Sequence, residues 1–261
     1  MLDQSRRFLS HLWTAQTRYA VHSPFVYQFV TQVLPHRRSE AGSQIDQVRK
    51  EWGQRREILE IADFGAGYGG DAVPVIHKEL REVVKSSARR RRNGELLRRI
   101  YAWRQPQQAL ELGTNLGFSA AYQLAGAPDC RLIGLEGSSV LAQKARDLWQ
   151  QLGLKAEVRV GEFGNGLGEI LAEGNRWDCV LLDGNHRYGP TVDYFQRLVP
   201  HMQQGGLIIV DDINWSDEMR RAWREIQDSP AVNVSIDLFW MGLCFIGREQ
   251  ARQHFQFRFW P

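Results

Sequence analysis

From Gln105 onward, short apolar runs alternate with helix-like stretches, and few folds can absorb that rhythm. The runs are QALELG (108–113), RLIGLEG (131–137), AEVRVGE (156–162), WDCVLLDG (177–184) and GGLIIVDD (205–212). Between them lie FSAAYQLA, SVLAQKARDLWQQLG, FGNGLGEILAEG and TVDYFQRLVPHM, with SDEMRRAWREIQ after the last. Strand–helix repetition with right-handed crossovers implies a doubly wound parallel sheet. The tail NVSIDLFWMGLCFIG alternates like an antiparallel pair that turns near Trp240 to Gly242.

Residues 1–104 read differently, as a helical N-terminal region preceding a 105–261 domain. HSPFVYQFVTQVL places Ser23 at an N-cap and Pro24 at the first helical position. SQIDQVRKEW puts Ile45, Val48 and Trp52 on one face, and NGELLRRIYAW begins a helix at Asn93 or Gly94. The chain of 261 residues, 43% hydrophobic and 24% charged, is long enough for a substantial core. The net charge of +3 is too weak to argue for a nucleic-acid partner. Cys130, Cys179 and Cys244 have neither metal nor disulfide spacing, which suits a reducing compartment. With no membrane-spanning run and no signal-like N-terminus, a cytoplasmic protein is expected.

Two glycine-rich stretches compete for a nucleotide: LEIADFGAGYGGDAV (59–73) and ALELGTNLGFSAAYQLA (109–125). A nucleotide cradle needs a strand, a glycine turn and a helix N-terminus, then a second strand ending in an acid for the ribose. The second stretch meets each clause. Gly113 and Gly117 permit the tight turn, and Glu136 closes the next strand 23 residues beyond Gly113. The first stretch is followed by HKELREVVKSSARRRRNGELL, which offers no apolar strand and no strand-end acid, so the second is expected to hold the cofactor and the first to be a turn beside the cofactor entrance or a connector. G-T-N-L-G lacks the third glycine of a dinucleotide fingerprint, which leaves a dinucleotide and a nucleoside with an amino-acid tail both open.

The string LELGTNLGFSA, followed in order by GLEG, a GE after the third strand, VLLDGNHRY and GGLIIVDDINW, resembles class I S-adenosylmethionine-dependent methyltransferases. The likeness is to their O-methyltransferase branch, covers most of residues 94–246, and with VHSPFVY and DFGAG points to an uncharacterised bacterial subgroup. It implies a Rossmann-like seven-stranded sheet of order 3-2-1-4-5-7-6 with strand seven antiparallel. It also implies Glu111, Gly113, Thr114 and Gly117 along the methionine moiety, and Glu136, with Gly137 and Ser138, at the ribose. Glu162 and Phe163 would sit by the adenine, and Asp183 near the transferring methyl. Asp183, Asp211 and Asp212 match positions that bind a divalent metal in related branches, Asn214 being displaced by two places. Independently, three carboxylates at neighbouring strand ends would repel one another unless a cation such as Mg²⁺ offset them.

Each residue also has a plainer reading. His186 is either a general base or a loop histidine bonded to backbone. Asp212 could cap the following helix, although Ser216 is better placed to do so. Trp215 and Trp223, eight apart, suit packing. Between His77 and Arg104 stand ten Lys or Arg against three Glu, with a run at Arg89 to Arg92. That run is a solvated face, a lid favouring an anionic substrate, or a nucleic-acid footprint; DGNH in place of an Asn-Pro-Pro-aromatic motif disfavours the last. The expected partner is a small, acidic acceptor, with a homodimer among the open oligomeric states. A NAD(P)-dependent oxidoreductase on the same sheet, or a non-catalytic cofactor-binding protein, are the alternatives.

Overall fold

The computed structural model describes residues 2–36, 38–63, 73–87, 91–247 and 251–259. In chain order the helices and strands are α1 (Leu2–Thr14), α2 (Pro24–Gln32), α3 (Glu40–Trp52), β1 (Ile58–Ala62), β2 (Val75–Glu79), α4 (Leu80–Ser87) and α5 (Arg91–Arg104). There follow β3 (Gln108–Leu112), α6 (Phe118–Gly126), β4 (Arg131–Glu136), α7 (Ser139–Gln151), β5 (Glu157–Val160) and α8 (Phe163–Ala172). The chain continues through β6 (Trp177–Leu182), α9 (Tyr188–Leu198), β7 (Met202–Asp211), α10 (Asp217–Asp228), β8 (Val232–Asp237), β9 (Met241–Ile246) and β10 (Gln253–Gln256). They form two compact units, one of residues 35–169 and one joining residues 1–34 to 170–261.

In the 35–169 unit, β3, β4 and β5 are parallel with β4 in the middle, so in order of appearance the sheet reads 3-2-1. Leu110, Leu112, Leu132, Ile133 and Leu135 are buried, as expected for parallel strands covered by helices. Helix α3 starts where Ser39 accepts the Gly42 N–H at 2.9 Å, and it buries Ile45, Val48 and Trp52 as the periodicity predicts. Glu95 of α5 is wholly buried and fastens that start: its Oε1 accepts the Ser39 N–H (2.9 Å) and hydroxyl (2.8 Å), and its Oε2 accepts from Arg98 (2.8 Å). Helix α5 begins at Arg91, two residues before Asn93. Arg91 donates to Ser43 at 2.7 Å and lies 3.9 Å from Asp46, so α3 holds it. Arg89 and Arg90, like residues 64–72 of the first glycine stretch, lie outside the described residues.

Two expectations for the N-terminal region need correction. It contains strands as well as helices, and a strand does follow the first glycine stretch: β2, ending at Glu79, pairs antiparallel with β1. β2 has no buried residue, so no apolar run marks it in the sequence. An antiparallel pair lacks the parallel crossover that a nucleotide cradle is built on, so β1 and β2 do not frame one.

The 1–34/170–261 unit carries β6, β7, β9, β8 and β10 in that spatial order, with β9 antiparallel to both β7 and β8. In sheet numbering this is 4-5-7-6 as expected, plus one strand more: β10 runs parallel to β8 along its outer side. The segment before α2 does what its sequence indicates, Ser23 accepting the Val26 N–H ahead of Pro24. Trp223 of α10 lies against Gly242 so closely that a methyl group there would come within 2.5 Å of the ring. Trp223 therefore packs, whereas Trp215 is 62% exposed. Helix α1 is tied to the tail by His11, whose Nε2 bonds the Phe257 carbonyl at 3.0 Å. The Gln16 N–H bonds the Gln256 carbonyl at 2.7 Å. Among the described residues no helix is long and apolar enough to cross a membrane. The three cysteines are buried and free.

Candidate active site

The cradle grows out of β3. After Leu112 the chain turns sharply, with Gly113 at φ 93°, Asn115 at φ 49° and Gly117 at φ 79°, conformations that glycine adopts without steric cost. The Gly113 N–H donates to the Leu135 carbonyl (3.0 Å), and the Gly117 N–H closes the loop on Thr114 (2.8 Å). At Gly117 a side chain would also strike Trp149, whose indole N–H donates to the Gly117 carbonyl at 3.0 Å. Helix α6 then starts at Phe118, its first N–H groups facing the turn.

Glu136 is the centre of this half. It ends β4, is 8% exposed, and takes the Asn115 N–H on one oxygen (2.7 Å) and the Ser138 N–H on the other (2.9 Å). Burial pushes its carboxyl above the usual range, and hydrogen bonds from the Ser138, Asn115 and Gly137 backbone offset this only in part. A carboxylate has about four acceptor sites, so these backbone N–H groups leave it capacity for a sugar hydroxyl. The residues present therefore fit a ribose. Ser138 caps α7 by accepting the Leu141 N–H at 3.5 Å.

The remaining cofactor positions are placed as follows. Glu111 is wholly buried and accepts from Gln123 of α6 at 3.0 Å, which makes it a brace between strand and helix. Thr114 is 1% exposed and its hydroxyl has no hydrogen-bond partner among the described residues. Glu162 is exposed just before α8, and Phe163, half-buried, is the first residue of that helix. Sequence reasoning missed Gly134. A methyl group there would meet the Thr114 hydroxyl at 2.1 Å, so only glycine at this point of β4 lets the turn lie down on the strand.

The other candidates belong to the second unit. Asp183 follows β6, and two consecutive non-glycine residues after it are left-handed, Asn185 at φ 63° and His186 at φ 31°. Such strain persists where the surrounding structure enforces it, and it concentrates at functional sites. His186 Nε2 stands 3.8 Å from Asp183 Oδ1, with the two side chains 30% and 22% exposed. The Asn185 side-chain oxygen is buried without a hydrogen-bond partner among the described residues. The sequence offered one sign of it, an Asn beside the catalytic candidates.

The structure does not gather the expected metal ligands. Among the described residues no three His, Cys, Asp or Glu side chains stand close enough to share an ion, so Asp183, Asp211 and Asp212 are not a ready metal site. Asp211 is the last residue of β7 and is 8% exposed. At Asp212 the chain turns left-handed (φ 52°) and its N–H bonds the Trp240 carbonyl at 2.8 Å. Ser216, accepting the Met219 N–H at 3.1 Å, caps α10 in place of Asp212. Asn214 donates to the Phe239 carbonyl at 2.9 Å and so anchors the loop after β7 to the β8–β9 turn.

Comparison with known proteins agrees with this geometry. The profile of a family described as a methyltransferase domain matches residues 110–213. A probable O-methyltransferase of Mycobacterium tuberculosis, Rv1703c, is 32% identical over 164 residues, covering 59% of this chain and 69% of that protein. Among solved structures, an O-methyltransferase from Bacillus cereus in complex with S-adenosylhomocysteine superposes with a TM-score of 0.55 at 20% identity, over 85% of this chain and 97% of that one. The O-methyltransferase TomG from Streptomyces achromogenes, in complex with S-adenosylmethionine, gives 0.58 at 18% identity, over 95% and 100%. These last two speak for the fold. Together with the relative from Mycobacterium they set aside the oxidoreductase and non-catalytic readings, and the chain belongs to the class I S-adenosylmethionine-dependent O-methyltransferases.

Proposed function

We propose that His186 accepts the proton of a small acceptor's hydroxyl as that oxygen is methylated, with Asp183 steadying the imidazolium. The observation that carries this is the His186–Asp183 pair, 3.8 Å apart on a left-handed loop directly after β6. When bound, S-adenosylmethionine supplies an electrophilic methyl group, and the protein's task is to orient the acceptor oxygen and remove its proton. Glu136 would hold the ribose, Gly137 and Ser138 would flank it, and the turn from Gly113 to Gly117 would face the methionine end with Thr114. Glu111 supports that turn through Gln123. Glu162 and Phe163 are the proposed neighbours of the adenine. Among the described residues the three aspartates are not assembled to hold Mg²⁺.

The acceptor is read as small. Its acidic character rests on the charge of the His77–Arg104 segment, to which Arg91, engaged by Ser43 and Asp46, adds little. Buried free cysteines support a reducing, cytoplasmic setting.

The test is a His186→Gln variant assayed for S-adenosylhomocysteine binding by calorimetry and for radiolabelled methyl transfer to a panel of small hydroxylated acceptors. Binding within twofold of the wild type with transfer lost by about 10²-fold or more is the expected result. Undiminished transfer would refute the assignment.

A further inference from the structure

Beyond the methyl-transfer centre, the unit formed by residues 1–34 and 170–261 contains a groove of about 460 Å³ between α1, α10 and the end of β8. Arg6 and Arg7 of α1 line one wall, Arg220 and Arg224 of α10 line the other, and His11 and Asp237 are at the base. None of these residues belongs to the cofactor cradle. Four guanidinium groups against one lining carboxylate is an unbalanced set. Arg220 and Arg224 stand at i and i+4, a spacing at which like charges destabilise a helix.

Two carboxylates of the described residues, Asp217 and Asp237, stand beside these groups. Asp217 lies 3.0 Å from Arg7 and 3.6 Å from Arg220, but it is 82% exposed, where ion pairs are screened and worth little. Asp237 is turned to structural use: its Oδ1 accepts the Phe239 N–H at 2.7 Å and its Oδ2 the Trp223 indole N–H at 3.3 Å. Burial also raises its carboxyl above the usual range, with opposing contributions from Phe239, His11 and Trp223. Arg224 spends one donor on the Arg220 carbonyl at 3.3 Å, which leaves most of its fork for a ligand.

We propose that this groove binds the phosphate group of a small phosphorylated molecule. A phosphate dianion offers the charge and the several acceptor oxygens that converging guanidinium forks match in pairs, and a single carboxylate offers half of that charge. A cavity of this volume is of ligand size, so it also has room for the moiety that bears the phosphate.

The full chain should be titrated with pyrophosphate and followed by thermal unfolding, beside sodium chloride and acetate at matched ionic strength. A saturable rise in Tm with pyrophosphate, absent with chloride and acetate, is expected. R6A/R224A should weaken the apparent affinity at least about tenfold, about 1.4 kcal/mol, while leaving S-adenosylhomocysteine affinity within twofold. R221A is the charge-matched control, because Arg221 lies over the Tyr188 ring at 4.0 Å outside the groove, and it should respond like the wild type. Protein saturated with S-adenosylhomocysteine should retain the pyrophosphate response. The proposal is overturned by a response no larger than that to chloride, by an equal response to acetate, by an undiminished response in R6A/R224A, or by loss of the response on saturation with S-adenosylhomocysteine, which would put the anion in the cradle.

Discussion

Replacing Glu136 by Gln removes one acceptor and inserts one donor at a point where both oxygens already face N–H groups. Asn115 approaches one oxygen at 2.7 Å and Ser138 the other at 2.9 Å, so the new amide NH₂ must confront one of them. That side loses its backbone bond and also its bond to a ribose hydroxyl. A hydrogen bond to a charged group contributes about 1.5–3 kcal/mol, and an orphaned buried N–H costs about 1–3 kcal/mol. Part of the second loss falls equally on the free and bound protein. The binding loss should therefore be about 2–4 kcal/mol, or about 30- to 700-fold in the Kd of S-adenosylhomocysteine by calorimetry. A change under threefold would refute the ribose assignment.

The same substitution has a signature in stability. Because the folded carboxyl titrates above its unfolded value of about 4.3, its favourable contribution is present below that pH and is lost as pH rises through the folded value. The Tm of ligand-free wild type relative to Glu136→Gln should thus fall between pH 4 and 8. A difference independent of pH would show that the carboxyl is not perturbed.

Four further outcomes are expected. Gly134→Ala drives a methyl group to 2.1 Å from the Thr114 hydroxyl, so it should lower Tm and weaken S-adenosylhomocysteine binding, and Thr114→Ala in that background should recover part of both. Gly242→Ala overpacks Trp223 and should cost about 1–3 kcal/mol in a denaturant titration, without changing cofactor affinity. For Glu95, burial raises the carboxyl, but hydrogen bonds from Arg98 and Ser39 outweigh it and leave the value lowered. That contribution is present above the ordinary glutamate range and lost as pH falls through the folded value, so Glu95→Gln should destabilise at pH 7 and cease to differ from wild type in strong acid. Asp211→Asn should leave cofactor affinity unchanged with or without Mg²⁺; a Mg²⁺-dependent gain in the wild type, lost in the variant, would reinstate a metal at that strand end.

The parts of the fold legible in sequence are those whose side chains are buried on a regular period. β3, β4, β6 and β7 read as apolar runs because helices cover both faces, and α2 was marked by a cap and a proline acting together. β2 was invisible because none of its five residues is buried, and β10 because it has a single buried residue and owes its place to its pairing with β8. The site divides along the same line. The place of Glu136 at a strand end could be read from the chain alone, because the apolar run before it marks the strand. Gly134 could not, since what makes it necessary is Thr114, twenty residues away and on another element. Nor could the left-handed turn at Asp212, whose N–H is held by the Trp240 carbonyl. Spacing reveals which side chains are neighbours along a strand, and a single left-handed residue undoes it.

The strand contributed by the chain's last residues sets an order of events during synthesis. Residues 35–169 are contiguous, so the cradle-bearing unit can close as soon as they have left the ribosome. The other unit cannot. Its α1 pairs with a segment made much later, Gln16 with Gln256 and His11 with Phe257, 246 residues on, so that helix waits for its partners. A ribosome stalled shortly before residue 253 would therefore carry a closed 35–169 unit and an incomplete second one.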